Sequence, residues 1–299
     1  MKKSLILLPS LLFIIFFIFS AIDPSDYVVE KKMWKIKQQF AALTLYSGAL
    51  SKAESENLAT MYQNLIRQYP ESSQLPQIYM QIGQLYAGSN DFKEARMNYL
   101  KVLQYIPRQK YLCSSALMGI GLTYEKEKKD VQALTAYQQI VKNYPITHVG
   151  LSLPLYIANY YHRLGKDAEA QHAFKEAEGF YQKIVQENPD SLDGFNALRF
   201  LATTYLVQKK WDDVINTLGK TLLDYSRSPY LDWKTARAMI YSMTVVSIEE
   251  LKRPNQAIIF YQMFIEKNPG HPLNKFLKKV IVSLQGLKNE NKALVIQKI

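Results

Sequence analysis

Residues 5–22 form an apolar run broken only by Pro9, Ser10 and Ser20, preceded by Met1-Lys2-Lys3-Ser4 and followed by Asp23-Pro24-Ser25-Asp26. A basic front and an acidic back keep the N-terminus in the cytoplasm and send the downstream chain across the membrane. Residues 11–19 have the length of a signal-peptide hydrophobic region, and the whole run lies at the lower edge of what spans a bilayer. A cut after Ala21 puts Phe19 three positions back, and a cut after Ser20 puts Ile18 there, where a small residue is wanted. Residues 1–22 therefore read as either a signal peptide or an N-terminal membrane anchor. No cysteine follows the run, which excludes a lipid anchor at that point.

Beyond residue 22 the apolar positions recur three and four apart, the period of helices with one buried stripe. Pro70, Pro107, Pro145, Pro189 and Pro269 each close such a stretch. Counting back from Pro107 gives Tyr79, Ile82, Gly83, Tyr86, Ala95, Tyr99 and Val102. The same offsets from Pro145 give Leu117, Ile120, Gly121, Tyr124, Ala133, Tyr137 and Ile140. From Pro269 they give Tyr241, Thr244, Val245, Ile248, Ala257, Tyr261 and Phe264. Gly83 and Gly121 fall where a second helix crosses closely, and Ala95, Ala133 and Ala257 are the matching small residues on that helix. Looser copies occupy 39–70, with a capping box at Ser51 and Glu54, 151–189, and 195–226, where Ser226 stands in place of proline. Residues 272–285 read as a last amphipathic helix covering the edge of the array.

These residues resemble the tetratricopeptide repeat, a helix–turn–helix unit of 34 residues. Closing positions here are 37, 38, 44, 37 and 43 apart, and linkers such as Tyr69-Pro70-Glu71-Ser72 and Asn188-Pro189-Asp190-Ser191 recur. Longer units with this linker are similar to a bacterial envelope subgroup, that of the barrel-insertion repeat lipoprotein and the Tol-Pal coordinator. The resemblance implies an all-α fold, a right-handed α-solenoid of about five to six helix pairs with a C-terminal capping helix. The organisation expected is 1–22 export segment, 23–38 linker and start of the first helix, 39–270 repeats, and 271–299 capping helix and basic tail.

Composition narrows the chemistry. Glycine numbers 12 in 299 residues, fewer than all-β folds and phosphate loops demand, and the single Cys113 allows neither an internal disulfide nor a cysteine-built zinc site. Gly119-Ile120-Gly121 lacks the third glycine and the preceding strand of a dinucleotide fingerprint. His148, His162, His172 and His271 do not assemble a metal-ligand set, and Asp212-Asp213 and Glu249-Glu250 fall at turns where solvation explains them. No catalytic residue, metal or cofactor is expected, and the chain reads as non-enzymatic.

The net charge is +11, and its one sustained bias is terminal: seven Lys against Glu290 alone over residues 267–298. Stacked helix pairs present a face lined by their first helices. The offsets place there Gln77, Met80, Gln84, Met118, Leu122, Tyr156, Asn159, His162, Arg199 and Thr203. The expected function is a scaffold or adaptor of the cell envelope, periplasmic or membrane-anchored facing the periplasm, holding partner peptides or helices in that groove. The alternative is a binding module for an envelope polymer or anionic lipid, using Lys275, Lys278, Lys279, Lys288, Lys292 and Lys298. Protein partners and membrane association are expected; no nucleic acid is, since the basic end carries no interleaved recognition module.

Overall fold

A computed structural model describes residues 24–47, 50–105 and 109–286, and these contain helices and no strand. Residues 1–22, expected to be an export segment, and Pro107, Lys288, Lys292 and Lys298 lie outside them. Among the described residues no helix is long and apolar enough to cross a membrane. The chain divides into two units at residues 149 and 150.

Among the described residues the first unit holds three helix pairs: α1 (Pro24–Ser47) with α2 (Lys52–Gln68), α3 (Leu75–Gly88) with α4 (Phe92–Tyr105), and α5 (Lys110–Lys126) with α6 (Asp130–Asn143). Helix α1 begins at Pro24, so residues 24–38 are helical throughout, because Val29, Met33 and Ile36 continue the buried stripe toward the N-terminus. Its far end behaves differently, and Leu45 is 80% exposed where the repeat pattern expects a core residue. The Ser51 hydroxyl accepts from the Glu54 backbone N–H, and the Glu54 carboxylate accepts from the Ser51 N–H, which completes the expected capping box.

Close helix crossings organise the middle of this unit. A Cβ built on Gly83 would lie 2.6 Å from the Tyr99 ring, and one on Gly119 would lie 2.6 Å from the other edge of the same ring. One buried tyrosine of α4 thus fills the space left by glycines on both flanking helices. Gly121 repeats the device against Tyr137, at 2.2 Å. The Gly-x-Gly of α5 is therefore a packing motif, one glycine for each neighbouring second helix.

The second unit continues with α7 (His148–Arg163) against α8 (Asp167–Glu187) and α9 (Leu192–Val207) against α10 (Trp211–Asp224). Helix α11 (Trp233–Val245), prolonged by a π turn at Val246–Glu250, then pairs with α12 (Asn255–Lys267), and α13 (Leu273–Gln285) closes the array. Helix α8 has 21 residues against 14 in α4, α6 and α10, and the added turns put Tyr181 beside Pro154 inside α7. Leu273, Leu277, Val280, Ile281 and Leu284 bury the inner face of α13, and Phe276 packs on Trp233 with ring centroids 5.9 Å apart. This is the expected cap.

Two backbone devices recur. The turn inside each of the five pairs from α3–α4 to α11–α12 passes through a left-handed residue: Asn90 and Lys128 in the first unit, Gly165, Lys209 and Lys252 in the second. In four of the five, a backbone N–H at the turn reaches back to a tyrosine carbonyl (Asp91 to Tyr86, Lys129 to Tyr124, Lys166 to Tyr161, Lys210 to Tyr205). Because Asn and Lys occupy most of these positions, the turns need little glycine. Pair closures share the other device: Tyr69, Tyr144, Asn188 and Asn268 cap their helices at φ between −129° and −135°. A following proline clashes with the helical conformation and moves these residues out of it. Tyr225, followed by Ser226, caps at φ −97° instead. The Ser226 hydroxyl donates to Asn268 Oδ1 at 3.2 Å, tying that closure to the next.

Candidate interaction surface

The first-helix surface of the second unit carries a cleft of about 500 Å³ between α9, α10 and α11. Ala202, Leu206, Val214, Leu218, Ala238 and Met239 give it apolar walls, and Thr203, Thr235 and Ser242 add hydroxyl-bearing residues. Arg199 from α9 and Lys234 from α11 bring two cations to it, and no carboxylate lines it. The Arg199 guanidinium sits 5.9 Å from the centre of the Phe195 ring and donates to Asn196 Oδ1 at 3.4 Å, which holds it along α9. Asp232 is the nearest acid in sequence to Lys234, but it caps α11: its carboxylate accepts from the Thr235 N–H at 2.7 Å. That backbone bond, with help from the Thr235 side chain, lowers the Asp232 pKa and keeps the cap ionised. The cleft thus sets two cations and three hydroxyl-bearing residues over an apolar floor.

The positions expected from the sequence fall in several places. Arg199 and Thr203 line this cleft together, with the Thr203 hydroxyl donating to the Arg199 carbonyl at 2.9 Å. Tyr156 is half-buried, packed along Tyr160 with ring centroids 6.4 Å apart and the Arg163 guanidinium 5.2 Å from its ring. The Asn159 amide is occupied by the Leu155 carbonyl at 3.0 Å. His162 points elsewhere, approaching Asp167 at 3.1 Å and lining a different cavity of about 890 Å³ along α8 with His172, Glu178 and Lys210. In the first unit Met80 is 9% exposed and belongs to the core of α3, whereas Gln84 and Leu122 are exposed and Gln77 and Met118 half-buried. The Gln77 Oε1 atom is buried with no hydrogen-bond partner. Lys275, Lys278 and Lys279 line the outer face of α13. The offsets place no α11 residue in the groove, so they miss Lys234 and Thr235.

No enzymatic constellation emerges among the described residues. No three His, Cys, Asp or Glu side chains group to hold a metal ion. Cys113 is 1% exposed and burial pushes its thiol pKa up, the reverse of an activated nucleophile. Asp212 receives the Arg253 guanidinium through both carboxylate oxygens, at 3.0 and 2.9 Å, and Gln256 at 2.7 Å. It links one pair's second helix to the next pair's turn.

Two family models, each described as a tetratricopeptide repeat, match residues 76–109 and 115–145. The chain carries tetratricopeptide repeats. The matched segments correspond to the α3–α4 and α5–α6 pairs. Among solved structures, the chain is similar to a tetratricopeptide repeat protein from Parabacteroides merdae, at 13% identity, covering 90% of this chain and 96% of that one, with a TM-score of 0.42. BtubC from P. vanneervenii is similar at 13% identity over 72% of this chain and 89% of its own, with a TM-score of 0.45. YrrB, described as a tetratricopeptide repeat protein with an unusual peptide-binding site, matches at 16% identity over 74% and 99%, with a TM-score of 0.36. Comparison with curated proteins finds no match.

Proposed function

We propose that the chain is a non-enzymatic adaptor of the bacterial cell envelope, exported through or held by residues 1–22, and that its α9–α11 cleft grips an anionic peptide segment of a protein partner. The convergence of Arg199 and Lys234 on a carboxylate-free cleft carries this reading. A tetratricopeptide array supplies surface without chemistry, and a peptide carboxylate supplies the countercharge that the cleft lacks.

Selection of the full chain against a random library of displayed peptides should enrich Asp, Glu or free C-terminal carboxylates. Arg199→Ala and Lys234→Ala should each weaken the enriched peptides about tenfold, the size of one hydrogen bond to a charged group. Enrichment of neutral or basic sequences, or unchanged binding by both variants, would sink the anionic-ligand reading. The envelope placement is tested separately. External protease should digest the chain once the outer membrane is opened and before the cytoplasmic membrane is breached, and full protection under those conditions rejects it.

A further inference from the structure

Helix α1 has two apolar faces, and only one is covered. Val29, Met33 and Ile36 turn inward and are at most 6% exposed. Tyr27, Trp34 and Leu45 are 69%, 59% and 80% exposed. Their spacing of seven and eleven residues places them within about 20° of a single line along the helix, a stripe roughly 27 Å long at 1.5 Å per residue. Lys31 and Lys35 lie exposed beside that stripe, and neither makes an ion pair among the described residues.

The acids of α1 are engaged by the segment that leads into α3. Asp26 accepts from the Ser72 hydroxyl and from the Ser73 hydroxyl and backbone N–H, contacts that lower its pKa. Glu30 accepts from the Gln74 amide at 2.9 Å. Lys32 is engaged by Gln68 at 3.0 Å and the Tyr69 ring at 4.9 Å. These contacts fix the roll of α1 against the first unit, and the outward stripe then carries Tyr27, Trp34, Leu45 and the neutral Gln38.

We infer that this stripe lies flat on an anionic lipid surface. Trp and Tyr are the side chains that settle at the membrane–water boundary, and Lys beside them reaches the headgroups. The apolar run of residues 5–22 ends two positions before α1 begins, so a membrane-held run delivers α1 to the surface. The inference rests on the proposed membrane association of that segment. A second copy of the chain is the poorer occupant, because a two-fold contact sets each lysine-flanked stripe against its equal.

The test uses the full chain with Trp211→Phe and Trp233→Phe, leaving Trp34 as the sole tryptophan, reconstituted into phosphatidylethanolamine–phosphatidylglycerol vesicles. The chain should float with the vesicles, Trp34 emission should shift to the blue, and lipids brominated near the headgroup should remove at least about half of it. Iodide should quench it little. Flotation with free access of iodide and no quenching by bromolipid overturns the inference and leaves membrane attachment standing. Shielding from iodide without bromolipid quenching assigns the stripe to a protein and also overturns it. Failure to float rejects both readings.

Discussion

Gly121→Leu is expected to lower stability by about 1–3 kcal/mol or more. The first side-chain carbon would sit 2.2 Å from Cε1 of Tyr137, inside contact distance, and leucine adds three further carbons beyond it. The ring cannot swing aside cheaply. It is 0% exposed, and its hydroxyl donates to Glu125 Oε2 at 2.8 Å, so movement of the ring loses that bond. The opposite case lies in α8: Gly179 is exposed and helical, with nothing within 4 Å of a built Cβ. Gly179→Ala should gain about 0.4–1 kcal/mol by restricting the unfolded chain. Urea denaturation of the two variants beside the parent checks the pair. A Gly121→Leu midpoint equal to the parent's would show that the α5–α6 crossing is looser than the structure places it.

Fixed offsets from the closing prolines read the repeats correctly wherever helix geometry is regular. Gly83 and Gly121 meet Tyr99 and Tyr137 as spacing requires, because both members of each contact lie in one pair separated by a turn of constant length. Offsets say nothing about the neighbouring pair, so the second use of the Tyr99 ring by Gly119 is invisible to them. They slip by one place at α11, although Thr244 stays buried there. A π turn holds one residue more than an α turn, so positions before Val246–Glu250 stand one place earlier than counted. Tyr241 is accordingly 47% exposed and Ile240 takes the core position, with its carbonyl accepting from the Tyr261 hydroxyl at 2.9 Å.

The interaction surface was less legible than the fold for a related reason. Arg199 and Thr203 belong to a regular helix and fall in the cleft as the pattern requires, whereas their partner Lys234 comes from α11, beyond the displaced register. Met80 and Asn159 illustrate a second limit. A position on the first-helix face is free to bind only if neighbouring side chains and backbone leave it free, and here burial takes Met80 while the Leu155 carbonyl takes one amide hydrogen of Asn159. Face assignment comes from periodicity; availability comes from packing.

Tyr181→Phe should cost about 1–3 kcal/mol, although it removes a single oxygen from a fully buried ring. Pro154 lies inside α7 and has no N–H to offer the carbonyl four residues back. The Tyr181 hydroxyl enters at that turn, donating to the Leu151 carbonyl at 2.9 Å and accepting from the Leu155 N–H at 3.3 Å. These two groups stand four apart and straddle the proline. Phe200 stacks on the Tyr181 ring at 5.6 Å with planes 12° apart and holds the hydroxyl in place, and burial raises the phenol pKa well above its ordinary value, so it stays a neutral donor. Phenylalanine keeps the stack and removes the bridge from both backbone groups. A double-mutant cycle with Pro154→Ala isolates the cause. Alanine lets α7 straighten and close that turn with its own backbone bonds, so the loss from Tyr181→Phe should shrink by about 0.5 kcal/mol or more in that background. An equal loss in both backgrounds would mean that the hydroxyl stabilises the core without bracing the proline, and that the added turns of α8 serve some other contact.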